Sequence, residues 1–256
     1  MQLATTVTGA AGAQPPLLIA HGLFGSARNW GAIARRLAQD RQVLTVDMRN
    51  HGESPWSPAH DYAAMAGDLA EVVAAHGGRA DVLGHSMAGK AAMVLALTAP
   101  ELVRRLIVAD IAPVAYGHDQ MRYVRAMQAL DLGTVTRRSE GDAALAAQVP
   151  EAGVRAFLLQ SLAFEEGRAR WKLNLEVLAE RMPAIMTFPD LPGSFTGPVL
   201  FLTGAKSDYV SPEHWPRIRA LFPAAERQAL EGAGHWLHAE QPAAFVAAVE
   251  AFLGAP

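Results

Sequence analysis

The chain has 256 residues, of which 51% are hydrophobic and 18% are charged, and its formal net charge is −3. This length suits one large α/β domain or a domain with an inserted subdomain, and this composition argues against a disordered chain. The slightly acidic charge gives no basic surface for nucleic acid, so we expect no nucleic-acid partner. With no cysteine, disulfides, thiolate metal sites and cysteine nucleophiles are excluded.

The chain start and its apolar runs bear on location. Residues 1–6 have neither a basic start nor a long apolar core, so we expect no signal peptide. No apolar run approaches the roughly 20 residues that a membrane helix needs. The sequence therefore predicts a cytoplasmic protein without a membrane span, and it leaves the oligomeric state open.

Short apolar runs alternate with helical patterns along the first 110 residues. Such runs are typical of buried parallel strands, and here they cover residues 17–20, 43–46 and 106–109, with a further run that leads from residue 80 towards Ser86. Helical spacing covers residues 29–38, 62–76 and 91–99.

The alternation pauses between about residues 115 and 195. There the pattern predicts helices at 120–130, 142–148, 151–162 and 171–181, no strand, and a tail interrupted by Pro183, Pro189 and Pro192. Alternation resumes with strands at 198–204 and 226–230 and helices at 213–221 and 242–253. The order predicts an α/β fold, a mostly parallel central sheet flanked by helices with an inserted helical cap. We assign residues 1–114 and 196–256 to the core and residues 115–195 to the cap.

A glycine-flanked serine lies where one apolar run ends and a helix begins. Gly84, Ser86 and Ala88 form the pattern G-x-S-x-A, with Gly89 one place later. A nucleophile elbow needs small residues two positions before and after the serine, because the sharp turn brings backbones together. Alanine adds one methyl group, which we interpret as a tolerated departure. The alternative is an ordinary turn with an incidental serine.

A histidine and two aspartates follow later strands. His235 lies in a glycine-rich turn after the last strand, and the alternative is that it is a turn histidine. His238 is the nearby rival, which we rank second and expect on the approach to the following helix. In open α/β sheets, reactive groups collect at the carboxyl ends of the strands, and the order Ser, Asp, His suits an α/β-hydrolase. We therefore expect Ser86 and His235 to meet there.

The acid has two candidates. Asp110 ends the strand after the nucleophile strand, and Asp208 follows the penultimate strand. In a typical α/β-hydrolase the acid lies after the penultimate strand, three residues past a glycine. Counted from Gly204, that position holds Ser207 here. We favour Asp110 because it follows a wholly apolar strand near the serine, and keep Asp208 as the alternative acid.

The oxyanion of an acyl-transfer reaction needs two preorganised backbone N–H donors. The loop of residues 21–25 and the helix start after Ser86 supply candidates, and we select the amides of Leu23 and Met87. A plain glycine-rich turn is the alternative for this loop. A second polar group, which we expect to hold a loop by hydrogen bonds, comprises Asp47, Arg49, His51 and Ser54.

Five motifs run nearly end to end along the chain: HGLFGS at 21–26, VDMRNHGES at 46–54, GHSMAGK at 84–90, DIAPV at 110–114 and AGHWLHAE at 233–240. Together they resemble the YbfF-type esterases of the α/β-hydrolase superfamily, with a fainter match over residues 151–174. The resemblance implies hydrolysis of carboxylic esters or acyl thioesters, with Ser86 as nucleophile and His235 as base, and it adds weight to Asp110. Ala88 and Asp208 depart from the family pattern.

The expected protein is a serine hydrolase that acts on a small acyl ester or thioester. We expect neither cofactor nor metal, because the sequence holds no HExxH motif, nucleotide-binding motif or Cys/His cluster. Carbon–carbon bond hydrolysis, cofactor-free perhydrolysis and a slow-turnover receptor stay open as alternatives. Besides Met87, the candidate pocket walls are Phe24, Tyr116, Phe157, Trp171 and Trp236.

Overall fold

The structure is a computed structural model that describes residues 1–254, so residues 255 and 256 of the predicted core lie outside it. Its main sheet has seven strands: β1 (Thr5–Thr8), β2 (Leu17–Ala20), β3 (Val43–Val46), β4 (Ala80–His85), β5 (Val103–Ala109), β8 (Val199–Gly204) and β9 (Ala225–Leu230). The order across the sheet is β1-β3-β2-β4-β5-β8-β9. Only the edge strand β1 pairs antiparallel, so the predicted mostly parallel sheet is confirmed.

The register brings the carboxyl ends of the central strands together. His85 pairs with Ala109, Ala109 with Leu202, and Gly204 with Leu230. Residues that follow β4, β5, β8 and β9 therefore emerge at one edge of the sheet, where open α/β folds bind ligands.

Helices cover both faces of the sheet. Their bounds are α1 (Gly31–Leu37), α2 (Tyr62–Ala75), α3 (Met87–Thr98), α8 (Trp215–Leu221), α9 (Leu237–Glu240) and α10 (Pro242–Gly254). Alternate residues of β2 enter different cores: Leu18 packs with the layer of α2 and α3, and Ile19 packs with the layer of α1 and α10. Burial on both faces explains why these strands are continuous apolar runs. Within residues 1–254, no helix is both long and apolar enough to cross a membrane.

The segment between β5 and β8, called the insertion here (residues 115–195), contains α4 (Met121–Ala129), α5 (Arg138–Leu145), α6 (Ala152–Leu158), β6 (Leu162–Glu165), β7 (Arg168–Trp171) and α7 (Leu175–Met186). The antiparallel β6–β7 hairpin corrects the expectation that this segment holds no strand. Its two-residue turn, Glu166 and Gly167, has φ of 49° and 77°. Positive φ at both turn positions matches the right-handed strand twist and closes the hairpin.

The hairpin also moves the helices predicted on either side of it. The predicted helix at 151–162 ends at Leu158, and the one at 171–181 begins only at Leu175, where the Asn174 side chain accepts a hydrogen bond from Val177 N (3.4 Å). That helix continues through Pro183 to Met186. Pro183 lies on its exposed face, so the ring does not clash with the core.

The loop of residues 47–54 links the core to the insertion. Gly52 N donates to Lys172 O (2.8 Å), and Asn174 N donates to Asn50 O (3.0 Å).

Asp47 anchors the other side of this loop, because its carboxylate accepts hydrogen bonds from Ala27 N (2.7 Å) and Glu53 N (2.8 Å). In the same loop Arg49 forms a buried ion pair with Asp68, and Ser54 Oγ donates to Asp47 O. These contacts make the loop a structural connector.

Three buried histidines form part of this connector. His21 Nε2 accepts from Met48 N (2.9 Å), and His51 Nε2 accepts from Phe24 N (3.2 Å), so both rings are neutral with the proton on Nδ1. The ring of His60 lies 5.8 Å from that of His51. Burial lowers the pKa of His21 to about 4 and the pKa values of His51 and His60 to about 3.

These histidines predict acid sensitivity. The unfolded chain, with a histidine pKa near 6.5, binds protons more readily than the folded protein. The contribution of the neutral histidines to the free energy of unfolding is therefore present above pH 6.5 and is lost as the pH falls towards 4. We expect a loss of about 1 kcal/mol per histidine between pH 7 and pH 5.5, measured by urea unfolding. His51→Gln, whose amide oxygen can still accept from Phe24 N, should show a weaker pH dependence. Equal stability at both pH values would contradict the assignment.

The turn from β4 into α3 depends on two glycines. A Cβ atom at Gly84 would lie 2.3 Å from Ala88 O, and one at Gly89 would lie 2.6 Å from Ile111 Cγ2. Ala88 itself is buried, so its extra methyl group is accommodated. The close approach therefore falls on Gly84 and Gly89, which explains why alanine is tolerated between them.

We expect Gly84→Ala to lower the free energy of unfolding by roughly 3 kcal/mol, because the new methyl group must displace the Ala88 backbone. Gly67→Ala is the matched control, since Gly67 is an exposed α2 residue with nothing within 4 Å of the added atom. That control should raise stability by about 0.5–1 kcal/mol. Urea unfolding of both variants checks the contrast, and a neutral Gly84→Ala would contradict it.

Candidate active site

Ser86 stands at the sharp turn between β4 and α3. Its backbone adopts φ 52° and ψ −119°, a conformation that residues with a side chain rarely adopt. Ser86 N donates to Ala109 O (3.0 Å), which ties the turn to the end of β5. The strained turn lifts the side chain above the carboxyl edge of the sheet, as the glycine-flanked motif predicted.

Ser86, His235 and Asp110 form a continuous hydrogen-bonded chain. His235 Nε2 lies 3.1 Å from Ser86 Oγ, and His235 Nδ1 lies 2.8 Å from Asp110 Oδ2. Because a carboxylate only accepts, Nδ1 carries the proton and Nε2 is free to accept from the serine hydroxyl. The three groups come from the ends of β4, β5 and β9, as far apart as 149 residues in sequence.

Asp110 is fully buried and held by donors from the end of β8 and from the loop after it. Gly204 N donates to Oδ1 (3.0 Å), and Ser207 Oγ donates to Oδ2 (2.5 Å). Ser207 lies three residues past Gly204, where the acid is usually found in this fold, and it donates its hydroxyl to Asp110. Asp208 is exposed, and no hydrogen bond within residues 1–254 joins it to His235.

Two aromatic groups fix the loop that carries His235. The Tyr209 ring stacks on the imidazole with centroids 3.9 Å apart and planes at 16°. The His85 ring donates from Nε2 to the carbonyl oxygen of His235 (2.8 Å), and burial lowers the pKa of His85 well below its usual value, which keeps it neutral. His238, the rival histidine, stacks on Trp30 at 4.1 Å and has a pKa lowered by burial to about 4.

The loop after β2 lies directly against the serine. A Cβ atom at Gly22 would lie 3.0 Å from Ser86 Cβ, so the backbone of the loop packs on the turn at Ser86. Phe24 has a positive φ of 65°, and the hydrogen bond from its amide to His51 holds it there. Neither the Leu23 amide nor the Met87 amide donates a hydrogen bond to any other residue within 1–254, which leaves both donors free for a ligand.

A cavity of about 240 Å³ opens onto Ser86 and His235. Of the predicted walls, Met87, Phe24, Tyr116, Phe157 and Trp236 line it. Trp171 does not; it is buried between the hairpin and α4, where its indole N–H donates to Met127 O (3.0 Å).

Several of the lining residues were not predicted from the sequence, among them Tyr62, Lys90 and Tyr209. Lys90 carried a usable signal, since it is a charge in an otherwise apolar helix one turn after the serine. Tyr62 and Tyr209 carried none. Within residues 1–254, no group of three or more histidine, aspartate or glutamate side chains could hold a metal ion.

The chain is similar in sequence to known proteins. The pattern of the alpha/beta hydrolase fold family matches residues 15–242. The chain is 44% identical to mouse sn-1-specific diacylglycerol lipase ABHD11 over 93% of this chain and 81% of that protein. It is 39% identical to esterase YbfF of Escherichia coli K12 over 93% of this chain and 92% of that protein.

A solved structure agrees with the sequence comparison. A marine microorganism esterase superposes with a TM-score of 0.93 at 35% identity, covering 98% of this chain and 99% of that one. The sheet order, the turn at Ser86 and these similarities have one explanation: the chain belongs to the alpha/beta hydrolase fold family and, within it, to the YbfF type.

Proposed function

We propose that this protein is a serine esterase that hydrolyses carboxylic esters, and acyl thioesters by the same route, through an acyl-enzyme. The observation that carries the proposal is the hydrogen-bonded chain of Ser86, His235 and Asp110 beside an apolar cavity. Relatives named as an esterase and a lipase support the ester class.

Acylation uses the serine as nucleophile. As Ser86 Oγ attacks the carbonyl carbon, its proton passes to His235 Nε2, which lies 3.1 Å away. The carbonyl oxygen becomes an oxyanion, and the free amides of Leu23 and Met87 stabilise it. His235 then gives the proton to the leaving alkoxide or thiolate, and the acyl group remains on Ser86.

Deacylation repeats the steps with water. His235 takes a proton from water, the hydroxide attacks the acyl-enzyme carbonyl, and the proton returns to Ser86 Oγ as the acid leaves. Asp110 holds the imidazole in the tautomer with the proton on Nδ1 and stabilises the imidazolium. The two donors to Asp110, Gly204 N and Ser207 Oγ, hold its carboxylate in this orientation.

The same arrangement leaves chemical alternatives that activity can separate. Carbon–carbon bond hydrolysis and perhydrolysis use the same three side chains, and a receptor would retain them with little turnover. Turnover of simple esters at roughly 1–1000 per second supports the esterase proposal.

The test compares Ser86→Ala, Asp110→Asn and Asp208→Asn on p-nitrophenyl butyrate and on a butyryl thioester. We expect the first two variants to lower kcat/KM by roughly 10³-fold or more, because each alters one of the three hydrogen-bonded residues of the proposed mechanism. Asp208→Asn should stay within about twofold of the wild type, since the exposed carboxylate makes no contact with His235. Circular dichroism confirms that each variant folds.

Other outcomes have clear meanings. Loss of activity in Asp208→Asn with retention in Asp110→Asn would move the acid to Asp208. A folded wild type that hydrolyses neither substrate would refute the esterase proposal and direct attention to the alternatives.

A further inference from the structure

Lys90 is a buried lysine in the wall of the active-site cavity. It lies in the first turn of α3, and its amide donates to the carbonyl oxygen of Ser86 (3.2 Å), the residue that precedes the helix. Only 1% of Lys90 is exposed, and the side chain lines the same cavity as Ser86 and His235. The proposed mechanism, which uses Ser86, His235 and Asp110, gives Lys90 no role.

The ammonium group of Lys90 has neutral partners. Nζ donates to Thr187 O (2.7 Å) and Met186 O (3.5 Å), and it lies 4.7 Å from the centre of the Tyr116 ring and 5.7 Å from that of Tyr62. Lys90 takes part in none of the ion pairs that the residues of 1–254 form. Buried charges are normally paired, because removing an ion from water is costly.

The cavity contains no counter-charge of its own. Among the described residues that line it, Lys90 is the one lysine, arginine, aspartate or glutamate. Asp110 lies behind His235 and is engaged by three donors, and Asp208 is exposed outside the cavity. Burial lowers the pKa of Lys90 to about 7, and an anion beside it would restore the charged form.

We propose that Lys90 binds a carboxylate carried by the substrate, so that the protein prefers half-esters of dicarboxylic acids to neutral esters of the same length. This inference rests on the proposed esterase function and names the substrate class for that site. The carboxylate replaces the missing counter-ion of Lys90 while the ester carbonyl lies at Ser86, one helical turn away. Charge-assisted hydrogen bonds of this kind are the strong ones in proteins.

A purely structural role is the competing explanation, since Lys90 contacts the end of α7. Other donors already serve that end: Tyr62 Oη donates to Ile185 O (2.5 Å), and Tyr116 N donates to Met186 O (2.9 Å). A neutral donor could also serve Thr187 O without the cost of a buried charge. Substitution by glutamine therefore separates the two roles, because it keeps a donor and removes the charge.

The experiment compares ethanol release from monoethyl succinate, glutarate and adipate with release from ethyl butanoate, pentanoate and hexanoate. The readout is the ratio of kcat/KM for the half-ester to kcat/KM for the neutral ester with the same number of acyl carbons. We expect a wild-type ratio above ten for at least one pair, and a fall of about 10- to 100-fold in that ratio for Lys90→Gln. A general loss of activity cancels in the ratio.

Binding gives a second readout that does not depend on turnover. Free glutarate should raise the melting temperature of Ser86→Ala and should not raise that of the Ser86→Ala, Lys90→Gln double variant. Glutaramide, which is neutral, is the control ligand and should act equally on both.

The outcomes separate this inference from the function beneath it. Hydrolysis of neutral esters with a wild-type ratio near one, or an unchanged ratio in Lys90→Gln, would overturn the carboxylate site and leave the esterase proposal intact. If Lys90→Gln does not fold, the wild-type ratio and the glutarate shift in Ser86→Ala decide alone. A wild type that hydrolyses neither series would overturn both proposals.

Discussion

The backbone conformation of Ser86 is the constraint on which the rest of the site depends. A residue with a side chain reaches φ 52° only under tight packing, and here the packing comes from close backbone contact at Gly84 and Gly89. The Ala109 carbonyl fixes the turn to the neighbouring strand. The strained turn presents the hydroxyl and, one residue later, the free amide of Met87 at the start of α3. The hydroxyl that we propose as nucleophile and the amide that we propose as oxyanion donor are thus products of one local geometry.

Around this turn, the structure uses neutral histidines as hydrogen-bond acceptors and spacers. His51 accepts from the Phe24 amide and donates to Arg49 O (2.8 Å), so one ring joins the loop beside Leu23 to the 47–54 loop. That loop in turn pairs with residues 172–174 of the insertion. The loop of residues 21–25 and the insertion are therefore coupled through a buried polar network, in which every lost acceptor would leave a buried donor unsatisfied.

Much of this arrangement follows from the sequence, because parallel strands buried on both faces are written as apolar runs. The ends of those runs place Ser86 and Asp110 at one edge of the sheet, and the strand–helix order places His235 there after the last strand. The choice between Asp110 and Asp208 is different, since it depends on which carboxylate points at the imidazole. Side-chain direction after a strand is set by loop packing, here by the positive φ of 52° at Asp110, and no local pattern encodes it.

The insertion shows the same limit. Its hairpin was hidden because a two-residue Glu-Gly turn sits between short segments that also carry helix-forming residues, and only tertiary pairing decides between the two forms. Most of the predicted aromatic walls line the cavity, but Trp171 packs against α4, and Tyr209, which was not predicted, stacks on His235. Composition can nominate such residues, while long-range packing assigns them.

The insertion leaves the sheet after β5 and returns at β8, and these two strands are neighbours. Its two ends are therefore held close together by the sheet, whatever the length of chain between them. Doubling the length of such a loop costs only about 0.6 kcal/mol in closure entropy. Evolution can therefore lengthen, shorten or exchange this segment while Ser86, His235 and Asp110 keep their positions. The residues that pair with the 47–54 loop, and those at the end of α7 that contact Tyr62 and Lys90, make the contacts that such an exchange must keep or replace.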